Sequence, residues 1–236
     1  MIDIVPDHSE RFARKVGPAT DDVIEEMHEF ARGRTPDWAE RFPQVDEFPT
    51  VGPEVGGWLQ MVTRLVDARR VFEFGSGFGY SAYWFARALP VDGELVLTEV
   101  DERKLEKASE FLKKGGFDDV ARYELGDALE TIEQYEGPFD VVLLDHENDR
   151  YREGFEAVRE KVPPGGVIVA DNVMEAPGIE FDQLLEASFG GEPPDRINDQ
   201  TRGIYEYLAA VLGVPDFETA VLPLGGGITV SRRIDD

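Results

Sequence analysis

Three glycines at alternate positions, Gly75, Gly77 and Gly79, follow a short apolar run at 71–74 and precede Tyr83, Trp84, Ala86 and Leu89 at helical spacing. Such glycines let the backbone turn sharply and let a ligand approach with no Cβ in the way. The helix that follows aims its free N–H groups into the crevice, which suits a nucleotide-like ligand at the end of the first strand of an α/β sheet. Acids stand at the other places where such a sheet does chemistry. Glu73 lies two positions before Gly75, and Glu99 closes the apolar run 94–99. Asp145 follows the run 139–144, and Asp171 with Asn172 follows 167–170. Two carboxylates and an amide oxygen are hard donors suited to Mg²⁺, Ca²⁺ or Mn²⁺, and the chain has no cysteine to favour zinc. Each acid taken alone reads equally well as a helix cap or turn former, and the glycines alone as a bare turn.

The order of the acid and the glycines narrows the ligand. A dinucleotide loop reads G-x-G-x-x-G, whereas this one reads Glu73-x-Gly75-x-Gly77-x-Gly79. A carboxylate beside a pyrophosphate is repelled, but beside the cationic methionine end of S-adenosylmethionine it is useful. Glu99 can accept hydrogen bonds from both ribose hydroxyls, as acids at that strand end do in other doubly wound sites. An NAD-dependent oxidoreductase is the competing reading, and the glycine spacing speaks against it.

The elements that must position these residues alternate. The pattern predicts strands at 70–74, 94–100, 121–125, 139–145 and 166–171, with helices at about 79–89, 102–114, 127–134 and 149–162. Strand–helix alternation implies a parallel sheet covered on both faces. After a helix at 201–212, the runs 217–222 and 228–232 flank Pro223 and three glycines, which predicts a hairpin and a closing antiparallel strand. Before the sheet, Val23, Ile24, Met27, Phe30 and Ala31 share one helix face. A second helix starts near Pro53 and carries the stripe Val55, Trp58, Leu59, Val62, Leu65 and Val66. The stretch 173–200, with three glycines and three prolines, reads as a loop shaping an acceptor pocket, and Trp38 and Phe42 as residues that can flank a planar acceptor.

Composition sets the background. The 236 residues fit one large domain, and 42% of them are hydrophobic. No apolar run is long enough to cross a bilayer, and the first residues do not read as a signal peptide, so a cytoplasmic protein without membrane partners is expected. Acids number 49 against 24 bases, a formal charge of −25, and only six of the bases are lysine. Self-repulsion of that size is relieved by salt, so the chain resembles proteins of halophilic archaea. The same charge disfavours a nucleic-acid partner.

These motifs, in this order over about residues 50–233, resemble the class I S-adenosylmethionine-dependent O-methyltransferases of the catechol and caffeoyl-coenzyme A type. The resemblance implies an α/β, Rossmann-like, doubly wound and mostly parallel sheet with a C-terminal antiparallel hairpin strand. It implies a division into N-terminal helices at 1–52 and a cofactor-binding domain at 53–236. It places Val51, Glu73, Gly75, Ser76, Gly77, Tyr80, Ser81, Glu99, Val100 and Asp145 against the cofactor, with Gly126, Asp127 and Ala128 lining the adenine. Asp145, Asp171 and Asn172 then hold Mg²⁺ or a similar ion that chelates an aromatic diol, and Asp145 and His146 are the candidate catalytic residues. A homodimer is compatible with it. One departure matters: where relatives carry a lysine base, this chain has Asn148, which is expected to cap the following helix instead. That departure keeps open a non-catalytic cofactor-binding protein, and an enzyme acting on protein or RNA is a more distant alternative.

Overall fold

The computed structural model describes residues 7–34, 47–188 and 197–234. The five apolar runs form β1 (Arg70–Phe74), β2 (Glu94–Glu99), β3 (Ala121–Leu125), β4 (Val141–Leu144) and β5 (Val167–Ala170), and the hairpin gives β6 (Phe217–Leu222) and β7 (Ile228–Arg233). They make one sheet in the order β3-β2-β1-β4-β5-β7-β6. The first five strands are parallel, and β7 runs antiparallel to both β5 and β6. The fold is therefore Rossmann-like and doubly wound, with its order reversing between β1 and β4. The antiparallel strand is an inner one, because the hairpin folds its second strand onto β5 and leaves β6 at the edge.

Period-two alternation divides the core. Val71, Leu95, Leu97, Val141, Leu143, Val167 and Val169 face a layer made by α2 (Asp22–Arg32), α3 (Gly52–Leu65), α4 (Tyr80–Ala86) and α5 (Glu102–Gly115). Phe72, Phe74, Val96, Val142, Leu144, Ile168 and Ala170 face the other layer, made by α6 (Ala128–Ile132), α7 (Tyr151–Val158), α8 (Phe181–Ser188) and α9 (Asp199–Leu212). Both faces being covered explains why the strands read as continuous apolar runs. The expected helix at 149–162 is shorter, with 3₁₀ turns at Asn148–Arg150 and Arg159–Lys161 on either side of α7.

Two helices escape the sequence reading. α1 (Asp7–Val16) precedes the first expected helix, and α8 lies within the stretch read as loop. In α8 only Leu184 and Ala187 are buried, too short an apolar stripe to stand out among the surrounding glycines and prolines. The N-terminal helix α2 joins the main core directly. Val23, Ile24, Met27 and Ala31 are buried in the same cluster as Val71 and Phe78, and Asp21 caps the helix by accepting from the Val23 and Ile24 N–H groups.

Candidate active site

The sheet brings the predicted residues to one place through its register. Leu144 pairs with Ala170, so the next residues, Asp145 and Asp171, emerge side by side. Phe74 pairs with Thr98 on one side and Leu144 on the other, which sets the glycine loop between them. Gly75, Gly77 and Gly79 all take positive φ, at 80°, 53° and 85°. At Gly75 the need is also steric, since a Cβ would lie 2.4 Å from the Asp145 carbonyl oxygen. Thr98 fastens the loop: its hydroxyl donates to the Glu73 carbonyl at 2.7 Å and accepts from the Gly75 N–H at 3.3 Å, while its own carbonyl accepts from the Ser76 N–H.

A cavity of ≈ 590 Å³ opens at these strand ends, within the range of small-ligand sites. Its wall contains Val51, Gly75, Ser76, Gly77, Tyr80, Ser81, Glu99, Val100, Gly126, Asp127 and Ala128, together with Asp145, His146, Asp171 and Asn172. Glu73 alone of the expected set is absent from that wall. It is fully buried, on the sheet face where its register partners are Leu97 and Leu143, and it accepts a short hydrogen bond from the Ser81 hydroxyl. Burial, with the Glu99 charge adding, pushes its carboxyl up to about 7 although the Ser81 bond works the other way. Glu73 thus acts on the cavity through Ser81 and through its charge. Trp38 and Phe42 lie outside the described residues.

Glu99 is fixed at the strand end by its own backbone. One carboxylate oxygen accepts from the Val100 and Asp101 N–H groups at 2.8 and 3.0 Å, which turns the chain back at the strand end. The other oxygen has no such bond. Asp127 caps α6 through the Leu129 N–H and pairs with Arg150 at 2.7 Å. Burial opposes ionisation of Asp127, but the bonds from Arg150 and Leu129 outweigh it and hold the carboxyl below its ordinary value.

The second half of the site is electrostatically strained. Burial raises the Asp171 carboxyl to about 7, and burial with the neighbouring Asp171 and Glu73 charges raises Asp145 well above a normal carboxyl. The Asp171 Oδ1 is buried and without a hydrogen-bond partner. A divalent cation would relieve both conditions, so the pair fits one. Among the described residues no three His, Cys, Asp or Glu side chains converge on a metal position, so the set depends on Asn172 for its third donor. Asn172 takes the left-handed conformation at φ 58° and donates its amide nitrogen to Asp145 Oδ1 at 3.3 Å. Gly225–Gly227, expected only as a turn, hold this segment: the Val173, Met174 and Glu175 N–H groups donate to the Gly227 and Gly226 carbonyls. A Cβ at Gly226 would lie 2.7 Å from Asn172 Oδ1.

His146 stacks on Tyr151 with ring centroids 5.2 Å apart, and neither ring nitrogen has a hydrogen-bond partner. Burial, then the Arg150 charge, lowers its pKa to about 4, so the imidazole is neutral at pH 7. Asn148 corrects the sequence reading. It opens the 3₁₀ turn without capping it, α7 has no side-chain cap, and its amide nitrogen is buried without a partner at the cavity wall. The turn is fixed from behind by α9, where a Cβ on Gly203 would lie 2.3 Å from the Asp149 Cα. Wall residues missed from sequence include Phe48, Thr98, Lys104, Arg150 and Gln200. A threonine inside a strand carries no signal of its own, and the Arg150–Asp127 pair joins positions 23 apart.

With the glycine loop, Glu99 and the paired aspartates in one cavity, comparison with known proteins gives the class. The O-methyltransferase family model matches residues 40–234, so the chain belongs to that family and is by class an S-adenosylmethionine-dependent O-methyltransferase. A catechol O-methyltransferase of Niastella koreensis is 33% identical over 129 residues, 53% of this chain, and the match spans only 58% of that relative's length. Caffeoyl-CoA O-methyltransferase 1 of Eucalyptus globulus is 28% identical over 194 residues, covering 78% of this chain and 75% of that one. Among solved structures, TomG of Streptomyces achromogenes, crystallised with SAM, superposes with a TM-score of 0.77 at 24% identity, covering 97% of this chain and 96% of that one. The Bacillus cereus O-methyltransferase with SAH gives 0.78 at 22%, covering 96% and 97%. At these identities the structural likeness speaks for the fold.

Proposed function

We propose that the protein transfers a methyl group from S-adenosylmethionine to a hydroxyl oxygen of a small, catechol-like acceptor, with Asp145, Asp171 and Asn172 holding a divalent cation. The observation that carries this reading is the single cavity shared by the glycine loop, Glu99 and the Asp145–Asp171 pair. When bound, the cofactor supplies an electrophilic methyl on a sulfonium, and the cation supplies a Lewis acid that lowers the pKa of an acceptor hydroxyl. The chain itself supplies placement. The open backbone at Gly75 and Gly77 and the free oxygen of Glu99 hold the nucleoside, and the cavity walls align acceptor and donor away from water. His146, neutral and unpaired, offers a nitrogen lone pair and is a weak base.

The charge at the wall favours a small diol over a phosphate-bearing thioester. Among the described residues, Glu99, Asp127, Asp145, Glu147 and Asp171 share the wall with only Lys104 and Arg150 as bases, and Arg150 is already paired with Asp127. Asn148 favours a second reading, a cofactor-binding protein without turnover. Calorimetry with S-adenosylmethionine, followed by mass spectrometry of a dihydroxyphenyl panel with Mg²⁺, separates the two. Binding and a mass gain of one methyl are expected. Binding without methylation of any diol supports the second reading, and no binding overturns both. The charge of −25 also supports a high-salt setting. The thermal midpoint should rise from low to molar KCl, and a flat or falling midpoint removes that setting.

A further inference from the structure

The N-terminal helix reaches the cavity through one side chain. Tyr80 is the first residue of α4, directly after the glycine loop; it is 4% exposed and forms part of the cavity wall. Its hydroxyl lies 2.6 Å from His28 Nε2 on α2, and the two rings approach at 5.2 Å between centroids. His28 Nδ1 faces Glu25 Oε2 at 3.8 Å, and Glu25 is held in turn by a 2.6 Å hydrogen bond from the Thr20 hydroxyl. A carboxylate at Nδ1 favours the tautomer with its proton on that nitrogen. Nε2 is then an acceptor, and Tyr80 must donate.

Helix α2 is also held firmly in place. Asp21 caps it and accepts from the Tyr83 hydroxyl of α4 at 3.2 Å. Arg87, just past α4, donates to the Ala19 carbonyl at 3.1 Å. Val23, Ile24 and Met27 pack into the core that contains Phe78 and Tyr80. His28 is therefore a fixed point against which Tyr80 is set. The family match begins at residue 40, so it includes Tyr80 but not His28.

We propose that His28 is a positioning residue of the cofactor site, fixing Tyr80 as a wall of the cavity through the Thr20–Glu25–His28–Tyr80 chain. The proposal rests on the reading that S-adenosylmethionine occupies this cavity. Without the bond the phenol is held by packing alone, and a ligand must complete its ordering on binding, which weakens affinity rather than chemistry. One neutral hydrogen bond corresponds to about a two- to tenfold change in Kd.

Calorimetry of S-adenosylmethionine binding to the full chain tests this with His28→Ala, His28→Gln, Tyr80→Phe and the double variant His28→Ala/Tyr80→Phe. His28→Ala and Tyr80→Phe should each raise Kd about two- to tenfold. His28→Gln, whose amide oxygen can accept from Tyr80, should recover most of the loss. The double variant should be no worse than Tyr80→Phe alone, and the acceptor KM should stay unchanged. Wild-type Kd in Tyr80→Phe overturns the proposal even if His28→Ala fails to fold. So does a His28→Ala loss that persists in full in the Tyr80→Phe background. Failure of the wild-type protein to bind S-adenosylmethionine is a different result: it removes the cofactor reading, and this proposal with it.

Discussion

The two halves of the cavity satisfy their polar groups in opposite ways. On the β1–β2 side the protein supplies most partners itself. Thr98 is bonded to Glu73 and Gly75, Ser81 to Glu73, and Glu99 to two N–H groups. On the β4–β5 side Asp171 Oδ1, both nitrogens of His146, the Asn148 amide nitrogen and the Tyr151 hydroxyl are buried with no partner. Each unsatisfied buried group costs about 1–3 kcal/mol. On the proposed function the first half is a preformed cradle, and the second is left open for groups that arrive with the reaction. Glu73 and Ser76 cross this division, since both belong to the cradle by position yet Glu73 Oε2 and Ser76 Oγ are unpartnered.

The sharpest way to break the comparison is Asp171→Ala. If the halves are separable, transfer should fall by at least about 100-fold, while the Kd for S-adenosylmethionine changes little. Chelation by EDTA should have the same effect on the wild-type protein. Full activity in EDTA, or equal damage to cofactor affinity, would show that the Asp145–Asp171 side does not do the chemistry assigned to it.

Glu73 sharpens it through pH. Its pKa is about 7 folded and 4.5 in the unfolded reference, so the native state holds the extra proton between those values. Stability from this group is complete below about pH 4.5 and is lost as pH rises through 7. The gap of about 2.5 units corresponds to a ceiling of roughly 3 kcal/mol. Between pH 4.5 and 8 the variant Glu73→Gln should gain up to that amount relative to wild type in urea unfolding without ligand. Parallel profiles for the two proteins would place Glu73 in a more polar setting than the sheet register indicates.

How legible each half was follows the same division. Strands buried on both faces are apolar runs, and the glycine loop and Glu99 are local patterns at their ends, so the cradle could be read along the chain. Asp145 and Asp171 could be read too, because neighbouring parallel strands bring equivalent ends together. What could not be read depends on contacts distant in sequence. Glu73 is withdrawn from the cavity because its register partners are Leu97 and Leu143, which the alternation of one strand does not reveal. Asn148 looks like a cap because asparagine often is one, but Gly203 on α9 fixes the turn in its place. Gly225–Gly227 look like a plain hairpin turn until the 173–175 backbone is seen bonded to them.

Glu99→Ala is the converse of Asp171→Ala. Hydrogen bonds to a charged acceptor contribute about 1.5–3 kcal/mol, so cofactor Kd should rise roughly 10- to 100-fold with little change in acceptor KM. Unchanged affinity by calorimetry would remove Glu99 from the cradle.

Asn148 carries the smallest expected effect and tests whether the second half lacks a base of its own. Its backbone is pinned by α9, with a Gly203 Cβ falling 2.4 Å from the Asn148 carbonyl oxygen, so substitution of the side chain should leave the turn in place. Its amide nitrogen is buried with nothing to donate to, so Asn148→Ala removes an unsatisfied group. Stability should be unchanged or slightly higher, and the transfer rate should stay within about threefold, the loss expected of a bystander. An asparagine cannot take a proton at ordinary pH, and His146 at about 4 is a poor base near neutrality. The acceptor hydroxyl must then lose its proton to water, and the rate should rise with pH through the neutral range. Asn148→Lys should flatten that profile and raise the neutral rate about tenfold, less than the roughly 100-fold a well-placed base supplies. The shortfall is expected because the Asn148 amide nitrogen has no hydrogen-bond partner among the described residues, so no existing bond holds a group at that point. A large loss in Asn148→Ala, with the pH profile displaced, would mean that the unpartnered amide holds the acceptor, and that the second half is more finished than its free polar atoms suggest.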